Sequence, residues 1–117
     1  MKIKETIQGK VAILSPSGNM MGGSDTQELH DHVKSLISDE IKNVVIDLGK
    51  VNWINSSGLG SLIAAMTSLK NAGGTLKLAS VTNKVNSLLM ITQLIQIFET
   101  YATPERAVAS FLEELKP

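Results

Sequence analysis

Three adjacent polar residues, Asn55-Ser56-Ser57, stand directly before Gly58-Leu59-Gly60 and make up the stretch of the chain best suited to chemistry. Short polar side chains of these types accept hydrogen bonds from the free N–H groups at a helix start, where the helix also presents partial positive charge. Two serines placed there are either caps or reactive hydroxyls. A hydrolase elbow is excluded, because it needs glycine two residues to each side of its serine, and Ile54 and Asn55 occupy the upstream positions. A triad also needs a histidine base. His30 and His32 are the only histidines, and on one helix at that spacing they point to different sides. The same spacing misses the separation that paired helical metal ligands use, so a solvated pair is the simpler reading. Gly58-Leu59-Gly60 is not a dinucleotide fingerprint, since Ile63 stands where the third glycine belongs, and no Gly-Lys-Ser/Thr phosphate loop occurs.

The remaining candidates have structural readings. Asp47 reads as a residue that bonds the N–H groups of the loop after it, and Trp53 as a packing residue rather than a ligand platform. Met20 and Met21, in a glycine-rich segment, either offer an adaptable partner surface or fold back over the core. For the serines, one capping side chain suffices and contributes about 1 kcal/mol, so three consecutive candidates leave hydroxyl capacity to spare. A phosphate on a serine at that position is tolerated by the fold, because free N–H groups and the helix dipole favour it by roughly 0.3–1 kcal/mol. A docked partner lacking cations would not tolerate it: enclosing about two negative charges costs several kcal/mol, and ~1.4 kcal/mol is a tenfold change in affinity. The arrangement suits a phosphorylation-controlled binding surface better than catalysis, and no enzymatic activity is expected.

The elements that must position this stretch follow from periodicity. Val44-Val45-Ile46 is an unbroken β-branched run, which predicts a strand buried on both faces. After a turn at Gly49-Lys50, Val51, Trp53 and Ile54 form an apolar lead-in to the helix. Its Leu59, Leu62, Ile63, Met66 and Leu69 recur every three or four positions until Gly73-Gly74, which predicts a left-handed C-terminal cap. Upstream, Ile3 to Ile7 and Val11 to Leu14 flank a turn at Gly9-Lys10 and predict a hairpin. Ser15 to Gly23, with Pro16, Gly18, Gly22 and Gly23, predicts a loop. Ser24 and Gln27 match a capping box for a helix with Leu29, Val33, Leu36 and Ile37 inward, ending near Asp39.

Downstream, Thr75 to Ala79 alternates Leu76 and Leu78 with polar residues and predicts a strand, and Val85, Leu88, Leu89 and Ile91 mark a short helix. Phe98 to Tyr101 reads as a brief edge strand. Thr103-Pro104-Glu105 opens a last helix with Val108, Phe111, Leu112 and Leu115 inward. The order predicts an α/β domain: a mixed sheet of about four to five strands, antiparallel in its opening hairpin and then mostly parallel, covered by about four helices.

Composition narrows the function. The 117 residues suit a single domain over 1–117. Eleven basic and eleven acidic side chains balance, so net charge implies no face for nucleic acid or anionic lipid. One Trp, one Tyr and two Phe are too few for base-stacking platforms. The absence of cysteine excludes disulfides, thiolate zinc sites and a cysteine nucleophile. No apolar run approaches the roughly 20 residues needed to span a bilayer, and the first residues lack the apolar core of a signal peptide. A cytoplasmic protein without membrane insertion is expected.

With Asp47-Leu48 closing the β-branched strand, Val51-Asn52-Trp53-Ile54 leading in, and Ser56-Ser57-Gly58-Leu59-Gly60 following, the chain resembles the STAS family of bacterial anti-sigma factor antagonists and their relatives. Gly73 to Leu78, then Val85, Leu88-Leu89, Leu94 and Phe98, extend the resemblance over nearly the whole chain. It implies a STAS-like sheet and a partner-switching cycle. In that family the serine directly before the first glycine is phosphorylated, which maps onto Ser57, with Ser56 as second choice. The implied partners are an anti-sigma serine kinase of the histidine-kinase-like ATPase type, which the unphosphorylated form binds so that the sigma factor is released, and a PP2C-type serine phosphatase. ATP and magnesium belong to the kinase, and this chain needs no cofactor. A weak homo-oligomer is left open, and the sequence does not set the oligomeric state. By analogy the docking surface comprises Asn55, Ser56, Ser57, Gly58, Leu59 and Gly60, with Met20, Met21 and Asp25 from the preceding loop. Related domains also serve as non-catalytic accessory subunits of membrane transporters or as small-ligand sensors. The chain departs from the family at Asn55, where Asp is common, at Gln93, where Gly is usual, and in the segment 19–23 before the first helix.

Overall fold

The computed structural model describes residues 1–115, the Asp25 side chain excepted. Strands β1 (Lys2–Gln8) and β2 (Val11–Met20) form the opening hairpin, followed by helix α1 (Ser24–Ser38) and strands β3 (Asn43–Asp47) and β4 (Val51–Ile54). Helix α2 (Ser56–Asn71), strand β5 (Thr75–Ala79), helix α3 (Asn83–Ile91), a 3-10 turn (Leu94–Gln96), strand β6 (Glu99–Tyr101) and helix α4 (Pro104–Glu114) complete it. The sheet runs β1-β2-β3-β5-β6, with β4 on β2. Only β1 and β2 are antiparallel. This is the expected mixed sheet with four helices, and it has a sixth strand.

The extra strand corrects the expected loop over 15–23. β2 runs on to Met20 because Pro16 falls between two pairings: β3 pairs it as far as Leu14, and β4 takes over at Gly18. Gly18 N–H bonds Lys50 O at 3.0 Å, and Pro16, two residues earlier, turns its donorless nitrogen toward the same side, so no ladder bond is lost. A register shift at Gly18/Asn19 re-aims the strand toward β4, whose residues 51–54 the apolar lead-in had concealed.

Alternation across β3 explains its unbroken apolar run. Val44 and Ile46 enter the main core with Leu29, Val33, Leu36, Leu62 and Leu69 of α1 and α2, whereas Val45 joins Val11, Ala79, Ala107, Val108 and Phe111 under α4. Both faces are covered, and each fully buried Leu or Phe contributes on the order of 1.5–3 kcal/mol relative to exposure. Cover by α4 is narrower than its sequence stripe implies. Leu112 and Leu115 are exposed, because the apolar contact of α4 with the sheet is made by Ala107, Val108 and Phe111, and Ile91 on α3 is exposed as well.

That α4 face holds Lys77, which the alternating pattern of β5 had assigned to solvent. It is fully buried, its Nζ donating to Ser110 Oγ and Glu114 Oε1, both at 2.7 Å, and lying 4.2 Å from the centre of the Phe111 ring. Burial pulls its pKa down, but the hydrogen bond to Glu114 and the nearby Glu99 carboxylate outweigh it and raise the pKa above the ordinary lysine value.

Local signals at the helix ends were mostly sound. The α2 terminus is a left-handed cap at Gly73, with Gly74 N–H on Leu69 O and Gly73 N–H on Lys70 O. Thr103 caps α4, accepting from Arg106 N–H at 3.1 Å. The capping box at Ser24 does not form: Gly23 is the N-cap, without a side-chain bond, and Thr26 Oγ1 donates back to Gly23 O. His32 is not simply solvated, for its Nδ1 lies 2.9 Å from Glu5 Oε1 on β1.

Candidate functional site

The close of β4 delivers the chain to α2 beside the end of β2. Asn55 is the N-cap, in extended backbone geometry, and its Oδ1 accepts from Gly58 N–H at 2.8 Å. Its Nδ2 donates to Met21 O at 2.9 Å, and its own N–H bonds Met20 O at 3.3 Å. One amide therefore both caps the helix and ties it to the segment before α1. A carboxylate at position 55 would keep the first of these bonds and lose the donor needed for the second.

With the cap supplied by Asn55, neither serine is needed for it. Ser56 and Ser57 are exposed, and among the described residues neither hydroxyl has a hydrogen-bond partner. No acidic residue lies in the first turn of α2, so the positive end of its dipole is uncompensated by its own helix. The two serines face different recesses. Ser57 lines a cleft of about 490 Å³ between α1 and α2, with Thr26, His30, Gly60 and Ala64. Ser56 lines a narrower groove of about 300 Å³ between β4 and α3.

Two glycines shape this surface by close approach. A Cβ on Gly58 would collide with Met20 O and stand 2.7 Å from Ile54 Cγ1, so only glycine lets the helix start lie against β2. Gly22, in left-handed backbone with φ of 101°, would put a Cβ 2.8 Å from Ser57 Cβ and so forms one wall beside that serine. Gly60 faces open space and is not sterically required.

Of the residues expected on the docking surface, Asn55, Ser56, Ser57 and Gly60 come together at the helix start, with Met21 about two-fifths exposed beside them. Met20 is corrected: its side chain is wholly buried, because the β2–β4 pairing turns it into the core, and only its carbonyl reaches the site. Gly58 and Leu59 are buried as well and support the surface from beneath. Asp25 falls in the first turn of α1, and its side chain lies outside the described residues. Sequence reasoning missed the bridging role of Asn55, the wall at Gly22 and the exposure of Trp53. Of these, only the Gly22-Gly23 pair leaves a visible signal in the sequence, and by itself that pair reads as a loop.

Known proteins share this fold. The STAS domain family model matches residues 2–107. The Bordetella bronchiseptica protein named "Putative anti-sigma factor antagonist BtrV" is 24% identical over 92 residues, 79% of each chain. The crystal structure of an anti-sigma factor antagonist from Mycobacterium paratuberculosis superposes with a TM-score of 0.78 at 23% identity, covering 93% of this chain and 92% of that one. The Bacillus cell fate determinant SpoIIAA in its phosphorylated form does so with a TM-score of 0.74 at 13% identity, over 94% and 99%. At these identities the structural likenesses establish the fold alone.

Proposed function

We propose, from the premise that this chain belongs to the STAS domain family, that it is a non-catalytic anti-sigma factor antagonist switched by phosphorylation of Ser57. The observation that carries this reading is the division of labour at the α2 start: Asn55 caps, leaving the Ser57 hydroxyl exposed and unpartnered at the positive end of the helix. The resemblance to BtrV, and to a Bacillus protein solved in a phosphorylated form, supports it.

In this reading the unphosphorylated surface around Ser57, Gly60 and Met21 docks in the cytoplasm on an anti-sigma factor that is also a serine kinase of the histidine-kinase-like ATPase type. A phosphate on Ser57 is stabilised by the helix end by roughly 0.3–1 kcal/mol and leaves the fold intact. In the interface the same dianion is buried, and a cost of ~3 kcal/mol lowers affinity more than a hundredfold. A PP2C-type phosphatase resets the surface.

Incubation with the cognate kinase and ATP, followed by intact mass and peptide mapping, is expected to show one phosphate, on Ser57, and none on Ser57→Ala. Stoichiometric modification of Ser57→Ala at Ser56 would refute the assignment. Unchanged kinase affinity after phosphorylation would refute the switch.

A further inference from the structure

On the far side of Ser56 from the phosphorylatable cleft lies the groove between β4 and α3. Its floor is Ile54, Leu59 and Val85, each less than a twentieth exposed, and its open lips are Trp53, 51% exposed, and Ile91, 80% exposed. Concavity over a buried apolar floor with two large apolar lips in solvent is the usual form of a small-molecule site, and about 300 Å³ is at the lower end of the range for such sites.

Its polar groups say what the occupant's head carries. Thr92 is spent on Leu88 O at 2.8 Å, and the Asn55 amide on Gly58 and Met21. Lys84 is the only charged lining residue, and it makes no ion pair among the described residues. Among the described residues no carboxylate lines the groove. An apolar trough with one free cation, and with the free Ser56 hydroxyl beside it, matches an alkyl chain ending in an anion.

We propose that this groove binds a medium-chain fatty carboxylate, its chain between Trp53 and Ile91 and its head at Lys84. The site is independent of the phosphorylation switch, since Ser57 opens into the other cleft.

Trp53 is the chain's only tryptophan, so its fluorescence reports occupancy. The full chain is titrated with sodium decanoate below its micelle concentration, in parallel with 1-decanol and decyltrimethylammonium, while thermal melting is followed. Decanoate should give a saturable change and a higher Tm, as expected of a ligand for the folded state. Decanol should bind roughly two- to fivefold more weakly, the span of an exposed charge pair, and the cation more weakly still. Lys84→Gln should abolish the preference for decanoate over decanol. Ile91→Asp, at an exposed position, should weaken decanoate more than about tenfold, the order expected from losing an apolar lip and adding a like charge, whereas Leu112→Asp, also exposed but on α4, should not.

A non-saturating response or a lowered Tm would overturn the proposal, as would equal affinity for decanoate and decanol. So would a change in Trp53 emission with protein concentration alone, which would assign the groove to a second copy of the chain. None of these outcomes bears on Ser57 phosphorylation, and loss of phosphorylation would leave them untouched.

Discussion

The Asn55 side chain donates to the Met21 carbonyl oxygen at 2.9 Å while accepting from Gly58 N–H at 2.8 Å, so a single amide joins the start of α2 to the segment leading into α1. Asn55→Ala removes both bonds and should cost about 1–3 kcal/mol in denaturant unfolding. Asn55→Asp keeps the cap and gains charge at the helix end but sets a carboxylate against a carbonyl. Its stability should stay within about 1 kcal/mol of the parent, while amide exchange over residues 21–23 accelerates by roughly fivefold. Unchanged exchange there would mean that the bridge does not restrain the segment.

The two glycines of the motif should respond oppositely to alanine. At Gly58 the new methyl meets the Met20 carbonyl, which as backbone cannot turn aside, and a loss of about 1–3 kcal/mol is expected. At Gly60 it meets nothing within 4 Å, and removing glycine from a helix should stabilise by roughly 0.5–1 kcal/mol. Equal effects in parallel urea titrations would contradict the packing described for Gly58.

Gly22 and Gly23 separate crowding from backbone strain. Both have positive φ, and Gly23 with ψ of −127° lies outside the left-handed helical region, so alanine at either costs about 1–3 kcal/mol, but only Gly22→Ala drives a methyl against Ser57. Phosphorylation of Ser57 by the cognate kinase should slow in Gly22→Ala and remain near the parent rate in Gly23→Ala. Equal slowing would place the effect in the segment's backbone rather than at the serine.

Lys77 links β5 to α4, and its substitutions distinguish packing from charge. Glu99 and Glu114 are more than half exposed, so Lys77→Met strands no buried carboxylate and should stay within about 1 kcal/mol of the parent, whereas Lys77→Ala leaves a hole costing about 2–4 kcal/mol. Its pKa is raised in the folded state, so the stabilisation from its charge is complete below the ordinary lysine value of about 10.4 and is lost as pH rises through the folded pKa. The parent should therefore lose stability relative to Lys77→Met in strongly alkaline buffer and show no such divergence between neutral pH and that value. A divergence at neutral pH would contradict the linkage.

The alternation of strands and helices apart from β4, the both-faces burial of β3, the start of α2 after Asn55 and its end at Gly73 were determined by the sequence itself. They depend on periodicity and capping, which act between residues a few positions apart. Tertiary structure decided what local pattern leaves open. It chose Asn55 over two serines as the cap through a partner 34 residues away, and it buried Met20 while exposing Met21 by pairing β2 with β4. It enclosed Lys77 through Ser110 and Glu114, 33 and 37 residues on. Each of these depends on which distant segment arrives to cover a surface, and a residue's near neighbours carry no record of that arrival.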